Sequence, residues 1–168
     1  MRINWISKAG VVALAVAGAS FAGAQTNGPS GLSARVGVFF PTGRIARNLS
    51  ATWFVGGADY KITRHSVDSP TTDTLAYLGV SVDYYGSGGA SALPVVLNYN
   101  VRSSQLIWSA GLGIDFVRLG ANTRGLAGQL GVTYEFGPSP TPTFVQAKYF
   151  ISSSSALNGI GLFVGMRF

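Results

Sequence analysis

From residue 33 to the last residue, apolar side chains recur at every second position in eight runs separated by short polar segments. A period of two belongs to a β-strand, whose successive side chains point to opposite faces. In "SARVGVFF", Ala34, Val36, Val38 and Phe40 share one face, and Arg35 and Gly37 the other. "ATWFVGGADYKIT" sets Phe54, Tyr60 and Ile62 against Asp59 and Lys61. "LAYLGVSVDYY" sets Leu78, Val80, Val82 and Tyr84 against Gly79, Ser81 and Asp83. In "ALPVVLNYNV", Leu93, Val95, Leu97 and Tyr99 oppose Asn98 and Asn100. Pro94 is expected at the beginning of that strand, where a missing N–H does least harm.

The clearest alternation is "LIWSAGLGIDF", with Trp108, Ala110, Leu112, Ile114 and Phe116 against Ser109, Gly111, Gly113 and Asp115. "LAGQLGVTYEF" places Leu130, Val132, Tyr134 and Phe136 opposite Gln129, Gly131, Thr133 and Glu135. In "FVQAKYFI", Val145, Ala147, Tyr149 and Ile151 oppose Gln146 and Lys148. The last run, "NGIGLFVGMRF", alternates Ile160, Leu162, Val164, Met166 and Phe168 with Gly161, Phe163, Gly165 and Arg167. Between the runs lie "PTGRIARNLS", "RHSVDSPTTD", "GSGGAS", "RSSQ", "GANTRG", "GPSPTP" and "SSSSALN", rich in residues that reverse a chain. No segment after residue 25 shows a helical period with caps, so the chain reads as all-β.

Runs of about ten residues match the length needed to cross a bilayer at a tilt of roughly 45°. With about 18 residues for each strand and its connection, only the smallest closed barrel fits. The expected architecture is an eight-stranded antiparallel up-and-down transmembrane β-barrel over residues 33–168. An even strand count leaves both chain ends on the same side.

Composition narrows this picture. Only 11% of residues are charged, 23 are glycine, 12% are aromatic, and the mean hydropathy is +0.32. That is too apolar for an ordinary soluble surface, in which roughly a quarter of residues are charged. At the N-terminus, "MRINWISK" carries Arg2 and Lys8 and is followed by the apolar run "AGVVALAVAGASFAG" and the small residues Ala22-Gly23-Ala24. This order reads as a signal peptide over residues 1–24, cut before Gln25, with 25–32 a short N-terminal periplasmic segment. The apolar run is short for a membrane helix and is broken by Gly and Ser. With no cysteine, disulfides, thiolate metal sites and a lipid-modified cysteine are excluded.

Alternation alone does not say which face is inside. The polar faces are mostly Gly, Ser, Thr and Asn, which suits a narrow packed interior. Their charges balance, Arg35, Lys61, Lys148 and Arg167 against Asp59, Asp83, Asp115 and Glu135, as a desolvated interior requires. These eight residues are therefore expected to form one interior charge network. Aromatic residues gather near the strand ends, Tyr99, Trp108, Phe136 and Phe168 at one end and Phe40, Phe54, Tyr84, Phe116 and Tyr149 at the other. Two such girdles mark bilayer interfaces.

On these residues the chain resembles the small bacterial outer-membrane β-barrels of the OmpX type, and is similar to the OmpA transmembrane domain. The resemblance covers residues 33–168. It implies that the barrel-assembly machinery reads the last strand at Ile160, Leu162, Val164, Met166 and Phe168; many members have Tyr where this chain has Met166. It also implies a periplasmic C-terminus and localisation in the cell outer membrane of a Gram-negative envelope. Connections at 41–50, 86–91, 119–125 and 152–158 would then face outside, and those at 65–73, 102–105 and 137–143 the periplasm. The outer set carries Arg44, Arg47 and Arg124, with Arg118 at an outer strand end, a basic rim suited to the phosphates of lipopolysaccharide.

His65 beside Ser66 invites comparison with barrels that modify lipid A acyl chains. However, the pair falls in a periplasmic turn with no acid placed to orient the imidazole, so catalysis is not expected. One histidine and no cysteine leave no metal or cofactor site. "YYGSGGAS" lacks the Lys-Ser/Thr of a phosphate loop, and no basic run supports nucleic-acid binding. Side chains fill the bore of an eight-stranded barrel, although inward Gly79, Gly111, Gly113 and Gly131 leave room for a narrow conductance. The expected function is a non-enzymatic outer-membrane barrel with a structural, adhesive or surface-interaction role. The alternatives are a narrow pore or small-ligand transporter and, behind it, a lipid A-modifying enzyme.

Overall fold

The computed structural model describes residues 31–62, 74–136 and 141–168. The expected signal peptide, the His65–Ser66 pair and most of the expected periplasmic segment lie outside the described residues. Strands β1 (Leu32–Pro41), β2 (Trp53–Lys61), β3 (Thr74–Ser87), β4 (Ala90–Ser103), β5 (Leu106–Leu119), β6 (Ala121–Phe136), β7 (Thr143–Ile151) and β8 (Gly159–Arg167) form one closed barrel in chain order. Every neighbouring pair is antiparallel. Closure comes from β8 returning to β1, with Ser33 opposite Arg167 at one end and Pro41 opposite Gly159 at the other. Phe168 N–H donates to the Leu32 carbonyl at 2.7 Å, so the last residue is tied to the first strand.

Closure leaves no free sheet edge, which is what lets strands cross a lipid phase with every backbone group paired. The faces are inverted relative to a soluble barrel. Outside, Leu126 is 81% exposed, Leu112 78% and Val164 60%, while inside, Arg35, Asp83 and Asp115 are each 1% exposed or less. Tyr60, Tyr99, Trp108 and Phe136 form an exposed belt near the end that holds Phe168, and Phe40, Phe54, Phe116 and Tyr149 another near the opposite, distal end. Among the described residues no helix is long and apolar enough to cross a membrane. The protein is an eight-stranded transmembrane barrel.

The strands on one side run longer than their apolar alternation suggests. β3, β4 and β5 have 14 residues each and β6 has 16, against 9 or 10 in the others. The expected connections at 86–91, 102–105 and 119–125 shrink to tight reversals at Gly88–Gly89, Ser104–Gln105 and Gly120. These reversals need left-handed backbone, and φ is +59° and +92° at Gly88 and Gly89 and +77° at Gly120. Flanking Ser, Asn and Thr residues simply continue as strand. Pro94 is the fifth residue of β4 and not near its start. It is accommodated because the β3–β4 ladder lapses opposite Asp83 and Tyr84, while pairing with β5 continues.

One helix forms where none is expected. Residues Arg44–Leu49 make a six-residue helix, α1, in the β1–β2 connection. So short a helix is held by packing and not by its own propensity. Ala46 is completely buried against the distal mouth of the barrel, and Thr42 N–H donates to the Asn158 carbonyl at 2.8 Å. The β7–β8 connection, with a 3-10 turn at Ser155–Leu157, packs beside it and buries Leu157.

Candidate functional site

Alternation sends one side chain in two into the bore, where they stack in layers. At mid-height, Arg35 of β1 meets Asp83 of β3 through Nε at 3.0 Å and Nη2 at 2.6 Å, and also pairs with Asp59 of β2. Lys148 of β7 reaches Asp83 at 3.1 Å and Asp59 at 3.7 Å. Two cations and two anions, with Arg35, Asp83 and Lys148 almost fully buried, thus close on one another. The missing side chain of Gly57 provides the space that the Asp83 carboxylate occupies. Beside them is an amide layer: Gln129 Nε2 donates to Ser81 Oγ at 2.7 Å and Asn98 Oδ1 at 2.5 Å, and Asn98 Nδ2 donates to Ser81 Oγ at 2.9 Å.

Towards the end holding Phe168, Glu135 lies between Arg102, with which it pairs, and Arg167 at 2.9 Å. Lys61 Nζ stands 4.7 Å above the Tyr77 ring. A cavity of about 50 Å³ opens here among Asp59, Tyr77, Asn98, Asn100, Thr133 and Arg167. It is water-sized, far below the few hundred Å³ of a small-molecule site.

The distal half of the bore is apolar. Phe39 and Tyr85 stack with centroids 4.2 Å apart, Phe150 lies 5.0 Å from Tyr85, and Trp53 and Phe163 complete the aromatic cluster. Val55, Val117, Ala90 and Ala92 pack around it, and Ala46 of α1 and Leu157 cover it. Just beneath the rim, Asp115 accepts hydrogen bonds from Ser152 Oγ at 2.5 Å and from Ser153 through its N–H at 3.0 Å and its Oγ at 2.7 Å.

The expected interior charge network is therefore divided. Arg35, Asp59, Asp83 and Lys148 come together, and Glu135 and Arg167 form a second cluster. Asp115 stands apart, holding a loop where a cation was expected. Arg102, assigned from sequence to a turn, is a partner of Glu135; its inward parity in β4 was the available signal. Of the inward glycines, Gly79 lines the small cavity, whereas the spaces at Gly111 and Gly131 are filled by Asn98 and Val96 and by Ser109 and Lys148. The aromatic plug was missed because its members share faces with residues read as small and polar.

On the outside, Arg44 and Arg47 are exposed on α1 at the distal end. Arg118 and Arg124 are exposed on the outward face of the β5–β6 hairpin, Arg124 in β6 and not in a loop as expected. The outward stripe of β8 exposes Ile160, Leu162, Val164 and Met166, with Phe168 half-buried at its foot. Among the described residues no group of three or more His, Cys, Asp or Glu side chains is placed to hold a metal ion.

No family model matches the chain, and no curated protein matches it. Among solved structures, the crystal structure of the outer membrane enzyme PagL is similar, at 12% identity and a TM-score of 0.49, over 81% of this chain and 98% of that one. The expectation that this chain is not an enzyme is corrected here. The similar solved structure is that of an outer membrane enzyme, and this finding stands against that expectation.

Proposed function

We propose that the protein is an outer-membrane barrel that acts at its surface and not through its bore, in a structural, adhesive or other surface-interaction role. The observation that carries this reading is the filled interior. An aromatic plug under a helical cap occupies the distal half, and ion pairs and amides occupy the rest. In this reading the distal end faces the exterior, Phe168 lies at the periplasmic interface, and the outward stripe Ile160, Leu162, Val164, Met166 and Phe168 serves the barrel-assembly machinery. The exposed apolar pair Ile45 and Leu49 on α1, beside Arg44 and Arg47, offers a contact surface at the exterior.

Planar-bilayer recording tests it. The refolded protein is expected to give no discrete conductance steps. Reproducible single-channel steps would replace this reading with that of a narrow pore, for which the small cavity near Tyr77 and Arg167 is the starting point. Catalysis at the membrane surface is tested separately. Lipid A from cells with and without the protein is compared, and any change is retested in Ser66→Ala and His65→Ala variants.

A further inference from the structure

The outward face of the barrel changes character sharply at one place. Along the β5–β6 hairpin, Ile114 lies opposite Leu126, the next outward pair is Phe116 with Arg124, and the next is Arg118 with Asn122. The adjoining strand continues the same levels, with Leu93 beside Phe116 and Ser91 beside Arg118. Within two cross-strand steps the surface passes from fully apolar to basic and polar. A lipid-facing wall does this where hydrocarbon gives way to headgroups.

The two arginines are poised and uncompensated. Arg124 lies with its guanidinium 5.8 Å from the centre of the Phe116 ring, a contact that holds it against the wall. Among the described residues neither Arg118 nor Arg124 takes part in an ion pair. The nearest carboxylate along these strands, Asp115, points into the bore and is occupied by Ser152 and Ser153. Phe116, Arg118, Asn122 and Arg124 line a shallow open depression at this level. Directly below it, Leu126 is 81% exposed and Ile114 50%.

We propose that this face binds a phosphate-bearing lipid of the distal leaflet, with Arg118 and Arg124 on the phosphate and an acyl chain along Ile114 and Leu126. Arginine suits the task, because its planar fork matches phosphate oxygens with two parallel hydrogen bonds. Asn122 adds an amide donor at the same level. A free anion would use only the upper half of this surface, whereas an amphiphile uses both the basic ledge and the exposed leucine and isoleucine beneath it. The inference deepens the surface-interaction reading and rests on it for the choice of leaflet. It separates these arginines, borne on the strands of the wall, from Arg44 and Arg47, which sit on helix α1.

The test uses the mature protein in detergent micelles, with phosphatidic acid as probe and phosphatidylcholine as the zwitterionic reference, read by native mass spectrometry. The wild type is expected to retain phosphatidic acid in preference to phosphatidylcholine. The Arg118→Gln/Arg124→Gln variant should lose about tenfold or more in affinity, given roughly one factor of five for each basic side chain near a lipid surface. Arg118→Lys/Arg124→Lys should fall between the two, and Arg44→Gln/Arg47→Gln should bind as the wild type does. Heat-shifted gel mobility establishes that each variant is folded. Unchanged binding by the glutamine variant would overturn the proposal, and so would loss in the α1 variant instead. Inorganic phosphate that binds as tightly as phosphatidic acid would overturn it in favour of a free-anion site. Conductance by the wild type would refute the closed-bore reading without altering any of these outcomes.

Discussion

Arg35 shows how much of the interior hangs on single side chains. Its guanidinium is completely buried and joins Asp83 and Asp59, which Lys148 reaches from the other side. Replacing Arg35 by methionine keeps most of the volume but leaves two carboxylates, Asp59 and Asp83, to share the single cation of Lys148. Loss of one member of a buried ion cluster costs about 3–5 kcal/mol, because the remaining charge stays desolvated. Arg35→Met is therefore expected to lower the urea midpoint of unfolding from lipid vesicles, followed by tryptophan fluorescence, while Arg35→Lys should recover part of the loss. Equal midpoints for wild type and Arg35→Met would mean that the cluster fills space without contributing stability. Parity in the sequence was enough to send Arg35, Asp59, Asp83 and Lys148 inward, since a strand offers only two faces. It did not identify partners. Which of four acids meets Arg35 depends on the stagger of neighbouring strands, and that is a property of closure.

Among the elements, the distal connections depart most from what alternation alone foretells. Loops rich in Gly, Ser and Asn were legible as reversals, but their lengths were not. A tight turn needs only one or two left-handed residues, and the polar residues beside it extend the strands. Helix α1 was equally hidden, because six residues carry too little periodicity and its stability comes from Ala46 settling over the aromatic plug. The β7–β8 connection is secured differently, by Asp115 accepting three hydrogen bonds from Ser152 and Ser153. Gly125 permits this, because a side chain there would collide with Ser153. Asp115→Ala is expected to cost about 1–3 kcal/mol, chiefly through the buried Ser152 hydroxyl it leaves without its acceptor. It should also make residues 152–158 a site of limited proteolysis in otherwise folded protein. Resistance of that segment to protease in the variant would show that Leu157 and α1 hold it without the carboxylate.

At the scale of the whole molecule, the decisive property is the inversion of inside and outside. The same alternation could describe a soluble barrel with an apolar core. What separates the two is where the charges close on one another, and here they do so in the bore, behind a wall whose exposed face is leucine, valine and isoleucine. The two arrangements respond oppositely to one substitution. Leu162 stands in the outward stripe of β8, 46% exposed and opposite Val38 of β1. If that surface met water, Leu162→Arg would be nearly neutral, as most exposed substitutions are. Against hydrocarbon, an arginine near the middle of the wall costs about 2–4 kcal/mol, falling towards zero at the interfaces. The expected outcome is a clear loss of folding stability for Leu162→Arg in phospholipid vesicles, and little change for the same residue placed at Asn122, on the basic ledge above Leu126. Depth is thus the variable that matters, and a series of such replacements down β5 and β6 would trace the hydrocarbon boundary. That boundary should lie between Leu126 and Arg124 on the distal side, where the aromatic belt of Phe116 already stands.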